Sequence, residues 1–203
     1  MRGLIARVSA KLSRLWFNMR YRGQFAALGS GACLQSPFRI DGVAGISLGE
    51  GSVLQRGGWL YCLGRDGRPA QLDIGRGCVF GFNNHITAVE SVRIGDQVLT
   101  ANNVYISDNI HDYEDIATPI MLQPIRVKGP VEIGAGSWLG ENVAVIGARV
   151  GRNCVIGANA VVTRDIPDFC VAVGIPARVI RHYDPIQLTW VAGPPYEFRD
   201  PIR

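Results

Sequence analysis

Aliphatic residues return at every sixth position through the second half of the chain, and a glycine commonly follows each one. The units read IGAGSW (133–138), LGENVA (139–144), a five-residue step VIGAR (145–149), then VGRNCV (150–155), IGANAV (156–161) and VTRDIP (162–167). An amphipathic helix needs apolar residues every three or four positions, and a half-buried strand needs them every two. A period of six fits a short strand followed by a turn, with one side chain per unit aimed at a common axis. Three units then close a triangular coil of about eighteen residues, and coils stack at the spacing of paired strands, ~4.8 Å. The aliphatic openers become a continuous core, and the glycines sit where the chain turns and a Cβ is costly.

The same beat runs upstream through IGRGCV (74–79), FGFNNH (80–85) and ITAVES (86–91). After Val92 and Arg93 it resumes as IGDQVL (94–99), TANNVY (100–105) and ISDNIH (106–111), with weaker copies at IDGVAG (40–45) and ISLGEG (46–51). The predicted fold is therefore all-β, a stack of triangular coils with its repeats set within residues 40–182. Two stretches break the rhythm: a turn-rich excursion at 54–72 and a loop at 112–126, DYEDIATPIMLQPIR. A long loop inside a compact domain is usually functional or disordered. The short unit at 145–149 predicts a local bulge.

Residues 1–39 form a different segment. Leu4, Ile5, Val8, Leu12, Leu15, Trp16 and Met19 recur at helical spacing, with Arg7, Lys11 and Arg14 on another face. The segment carries seven basic residues and no acid, so the rest of the chain, 14 basic against 17 acidic, is net −3 while the whole is +4. Its charges interrupt any run long enough for a signal peptide or a bilayer span. A basic amphipathic helix with tryptophan suits the interface of an anionic membrane. Packing on the side of its own oligomer is the alternative. No base-stacking or groove-reading module accompanies the charge, which argues against nucleic acid. A tail at 183–203, with Trp190, Tyr196 and Phe198, is expected to lie across a neighbouring surface.

The chain has 203 residues and 47% apolar content, enough for one domain with appendages. Cys33, Cys62, Cys78, Cys154 and Cys170 are odd in number and contain no CxxC. They read as reduced, buried small hydrophobes of a cytoplasmic protein, and no metal is expected.

The stretch GPVEIGAGSWLGENVAVIGARVGRNCVIGANAVVTRDIPDFCVAVGIPARVIR (129–181) resembles the hexapeptide-repeat acyltransferases, in their sugar and polysaccharide O-acetyltransferase branch. The resemblance implies a left-handed parallel β-helix, a homotrimer with sites between subunits, and acetyl-coenzyme A as co-substrate. The left hand comes from the resemblance, since crossover rules alone favour the right.

The chain has three histidines, His85, His111 and His182. Acyl transfer to a hydroxyl needs a base near neutral pH, and imidazole is the usual one. His111 closes the unit ISDNIH just before the loop, where the resemblance implies the catalytic base. It further implies an oxyanion donor at the backbone N–H near Glu141, after the tryptophan–aliphatic–glycine step. Asn83, Asn84 and His85 are implied as acceptor contacts, with Trp138 lining the site near the acceptor or the pantetheine arm. Ala144, Ala158 and Thr163 match small positions along the pantetheine, and Arg164, Arg178 and Arg181 match basic positions that meet phosphates. Counting hexads puts His85 and His111 on different faces, so they meet only between chains. Where the resemblance often has an acid to hold a sugar hydroxyl, this chain has Ala88, with Glu90 two residues on.

The first expectation is an O-acetyltransferase acting on a sugar hydroxyl of a bacterial surface polysaccharide or its precursor, at the inner membrane face. A second is an acetyltransferase for a small soluble acceptor such as a free sugar, an aminosugar or an antibiotic. A zinc carbonic anhydrase on the same kind of helix needs three converging histidines, which these positions do not offer. A non-catalytic scaffold is the remaining class.

Overall fold

A computed structural model describes residues 15–21 and 23–195. Its strands line three faces of a prism. Face A stacks Ala27–Leu28, Ile46–Leu48, Gln71–Ile74, Ser91–Ile94, Val131–Ile133 and Arg149–Val150. Face B stacks Cys33–Leu34, Val53–Leu54, Val79–Phe80, Leu99–Thr100, Trp138–Leu139, Val155–Ile156 and Cys170–Val173. Face C stacks Arg39–Asp41, Trp59–Cys62, His85–Ala88, Tyr105–Ser107, Ala144–Ile146 and Val161–Val162. Neighbours within each of these stacks are parallel, so every coil repeats the register of the one below.

The hexad openers fill the interior in columns. Face A contributes Leu48, Ile74, Ile94, Ile133 and Val150. Face B contributes Leu34, Leu54, Phe80, Thr100, Leu139, Ile156 and Ala172. Face C contributes Leu60, Ile86, Ile106, Val145 and Val162. Glycines turn the corners where the next coil leaves no room: a Cβ on Gly134 would meet Arg152 N at 2.3 Å.

Several sequence boundaries move. The coils begin at Ala27, ahead of residue 40, because the short strands at 27–41 already pair with the next coil although they carry no clear hexad. The excursion shrinks to the stretch after Cys62, since Val53–Leu54 and Trp59–Cys62 keep register with their neighbours. The tail boundary at 183 falls inside an antiparallel hairpin, Arg178–Asp184 with Thr189–Ala192, which extends face B. Of the N-terminal helix, residues 15–21 are described and the rest lies outside the described residues. Phe17 is fully buried and its ring meets Tyr21 at 4.9 Å, whereas Leu15, Trp16 and Met19 of the expected apolar stripe are exposed. The aromatic pair, not the aliphatic stripe, docks on the first coil. All five cysteines are free and buried.

Candidate functional site

The chain leaves the prism where face C meets face A. After Tyr105–Ser107 the next strand, Asn109–His111, pairs antiparallel with Ile125–Val127 instead of joining face A. The expected loop at 112–126 is thus the tip of a hairpin arm, and its register sets His111 opposite Ile125. His111 is exposed on this arm. Arg126 braces the arm, with Nη1 bonded to Glu114 Oε1 and its guanidinium 5.1 Å from the Tyr113 ring centre.

The excursion reaches the same arm, as Arg65 Nη1 donates to the carbonyl of Ile125, the residue opposite His111. At the base of the excursion, which contributes Gly64 and Pro69, lies a cleft of about 530 Å³, walled by small residues including Gly45 and Ala70 and reached by Ser47, Gln71 and Glu90. Sequence reasoning had no signal for the Arg65 contact, which joins two segments sixty positions apart.

The opposite end of face C holds a second group. At the corner between faces B and C, Asn83, Asn103, Asn142 and Asn159 all take left-handed φ near 55–61° and stack coil on coil. Asn83 belongs to this ladder through Asn103, 3.4 Å away. Beside it runs a column of backbone donors. Phe82 N–H bonds to Asn102 Oδ1 at 2.8 Å, and Asn102 N–H bonds to Glu141 Oε2 at 3.0 Å. The next step meets Ala158, whose methyl is no acceptor, so the ladder of side-chain acceptors ends at the Glu141 N–H. Trp138 stands near this corner on the outer surface of face B, half exposed.

Asn84 does not fit an acceptor role. It is 1% exposed, donates to the carbonyls of Gly81 and Ala101, and receives the Thr100 hydroxyl at 3.1 Å. Its amide is consumed inside the prism because buried polar groups must find partners. His85 opens a strand of face C, one coil below Tyr105–Ser107, so the hexad count misplaced its face. Its ring lies flat on Trp59, 4.2 Å away at 3°, with Tyr105 on the other side. Burial in this stack lowers its pKa and favours the neutral imidazole.

Ala144 sits on the outer surface of face C, in register with Tyr105, and Val161 follows it one coil on. Ala158 lies at the corner between faces B and C, while Thr163 and Arg164 follow the last strand of face C and are exposed. Arg164 and Arg178 line one cleft of about 380 Å³ with Pro194. Arg181 stands apart on the hairpin, donating to the Trp190 carbonyl at 3.4 Å. Burial pushes the thiols of Cys62 and Cys154 up to about 11 and that of Cys170 to about 12, which removes them as nucleophiles near neutral pH.

A family model described as the hexapeptide repeat of succinyl-transferase matches residues 71–108 and 130–164. A probable acetyltransferase of Mycobacterium tuberculosis is 39% identical over 148 residues, covering 71% of this chain and 48% of its own. A putative lipopolysaccharide biosynthesis O-acetyl transferase of Escherichia coli is 36% identical over 130 residues, covering 57% of this chain and 66% of its own. The chain thus spans from half to about two-thirds of these relatives' lengths.

The chain belongs to the hexapeptide-repeat acyltransferase family. Its three-faced prism is the family's left-handed parallel β-helix. An N-acyltransferase from Bacillus cereus, solved with coenzyme A and an amino-dideoxyglucose nucleotide, shares the fold at TM-score 0.70 and 16% identity, over 84% of this chain and 90% of that one. Seen as a member of this family, the single chain separates its candidate groups. His111 departs from one end of face C, and Glu141 stands at the other. Face-C strands of three or four residues hold the two corners ~10 Å or more apart.

Proposed function

We propose that this protein is an acetyl-coenzyme A-dependent O-acetyltransferase acting on a sugar hydroxyl of a bacterial surface polysaccharide or its precursor. The observation that carries the reading is the pairing of an exposed imidazole on a braced arm with a backbone N–H left open by Ala158. Family membership gives the reaction class, and the lipopolysaccharide O-acetyl transferase relative supports a glycan acceptor.

Acetyl-coenzyme A supplies the acyl group as a thioester. Neutral His111 takes the proton of the sugar hydroxyl as its oxygen attacks the thioester carbonyl. The Glu141 N–H meets the negative charge that develops on the carbonyl oxygen. The new ester bond forms as the carbon–sulfur bond breaks, and the proton returns from His111 to the departing thiolate. No acyl-enzyme is needed, in keeping with the buried, neutral thiols. Arg164 and Arg178 share a cleft suited to phosphate, and Ala144, Ala158 and Thr163 offer a smooth path across face C for the pantetheine arm. Asn83 and the cleft at the base of the excursion, with Glu90, are offered to the acceptor.

The two ends of face C meet when His111 of one copy faces the Glu141 corner of another, which makes the working unit a homotrimer. The enzyme acts on the cytoplasmic side. There, the exposed Leu15, Trp16 and Met19, with the basic residues around them, touch the anionic inner membrane. Among the described residues, no helix is long and apolar enough to cross a membrane.

His111→Ala lowers turnover by roughly 10² to 10⁴, the usual contribution of a general base, while acetyl-coenzyme A binding persists. Thiol release from acetyl-coenzyme A, followed against a panel of glycans and nucleotide sugars, measures it. Near-normal turnover in the variant removes His111 from the reaction.

A further inference from the structure

We propose that Asp108 is the positioning residue that aims His111, an inference that rests on His111 being the base. Asp108 is fully buried, and no ion pair neutralises its carboxylate among the described residues. Four donors converge on it instead. The N–H groups of Glu90 and Ser91 approach at 2.8 Å, that of Val89 at 3.0 and 3.1 Å to the two oxygens, and the Asn109 amide at 2.8 Å. Three successive backbone N–H groups around one anion form a nest, which makes burial of the charge tolerable and fixes it in place.

The same residue holds the arm through its backbone. The Asp108 carbonyl accepts Lys128 N–H at 2.7 Å and Gly129 N–H at 3.4 Å, where the hairpin returns to the prism. Ser107 Oγ donates to the Asn109 carbonyl at 2.7 Å. One residue therefore ties the corner below, the outgoing strand and the returning strand together. His111 stands three residues further out, on the third rung of the arm.

Turning this corner does not require a buried carboxylate. In the next coil the chain rounds it with Gly147 at φ 56° and Ala148. The buried charge occurs at the coil from which the arm departs. An arm free to swing at its root would spread His111 over many positions, and a misplacement of ~1 Å can cost about 10²-fold in rate.

Asp108→Asn sets an NH2 donor against the nest and releases the root. In the full-length trimer, kcat then falls about 10- to 10²-fold while the KM for acetyl-coenzyme A stays within about 2-fold. In a His111→Ala background the same change costs less than about 2-fold more, because there is no base left to aim. Thermal melting identifies a variant that fails to fold. In that event Asn109→Ala, which removes a single donor, takes its place in the cycle, with a loss of about 3- to 10-fold and the same non-additivity. Losses that multiply in the double variant, or a folded variant with unchanged kcat, overturn the proposal alone. A His111→Ala enzyme with near-normal turnover overturns the base assignment and this proposal together.

Discussion

Thr100 occupies a place in the interior column of face B where every neighbour along the column is apolar, between Phe80 and Leu139. Its hydroxyl donates to Asn84 Oδ1 at 3.1 Å and receives the Gly81 N–H at 3.3 Å. Asn84 in turn closes two backbone carbonyls with its NH2. The group is a sealed polar network under the corner that carries Asn83, so its completeness matters more than its strength. Thr100→Val keeps the shape and leaves Asn84 Oδ1 without its donor. The expected cost is about 1–3 kcal/mol of stability, read as a lower urea midpoint at unchanged slope. An unchanged midpoint would mean that Asn84 finds another partner and that the network is dispensable. Ser52 and Ser137 do similar work at the corner between faces A and B. Each hydroxyl donates to a carbonyl one coil on, at 2.6 and 2.8 Å, and accepts the N–H of Cys78 or Cys154 at 2.9 Å.

At the scale of the elements, the arm is held at two points, by Asp108 at its root and by Arg65 at its third rung, where His111 faces Ile125. Arg65→Ala removes the outer contact and leaves the prism intact. Amide exchange at 109–111 and 125–127 should then speed up about 10-fold or more, with the melting temperature unchanged, since exposed arms open locally. Mass-resolved hydrogen exchange reports it, and unchanged protection would make the excursion a bystander. These two protrusions are also where the sequence was least legible. Hexads declare an interior column because a side chain every sixth position must point inward, and they declare corners because glycine is needed there. They say nothing of a strand that leaves the repeat. ISDNIH reads as one more unit, yet Ile110 turns out of the core and pairs across to Arg126. Trp59–Cys62 reads as part of an excursion because arginine and glycine surround it, although Leu60 fills the core column. Asp108 draws no reading of its own, because nothing in a string of letters separates a buried carboxylate from an exposed one. Asn84 failed for the reverse reason, since an asparagine beside a ladder of turn asparagines looks exposed.

For the whole molecule, the three outer surfaces differ in chemistry. Face A alternates charge along its outer column, through Asp73, Arg93, Glu132 and Arg149, a pattern that suits water. Face B presents Val53, Val79, Leu99, Trp138, Val155 and Val171, with Leu99 47% and Trp138 45% exposed. Face C presents Trp59, His85, Tyr105, Ala144 and Val161. Two unlike apolar surfaces on one prism favour head-to-tail packing, face C of one copy against face B of the next, and such packing closes into a ring when the rotation permits. The proposed shared site requires in addition that this packing bring the His111 end of one chain to the Glu141 end of its neighbour. The consequence is testable by mixing. His111→Ala chains lack the proposed base, and chains with Arg164→Glu and Arg178→Glu lack the proposed phosphate cleft, so each variant assembled alone is expected to be inactive. If a site draws its base from one chain and its coenzyme cleft from another, co-expression of the two in equal amounts rebuilds intact sites. Random assortment leaves about a quarter of all sites complete, and about that share of wild-type activity should return. If each site were built within one chain, every site in the mixture would carry one defect or the other, and activity would stay at the level of the parents.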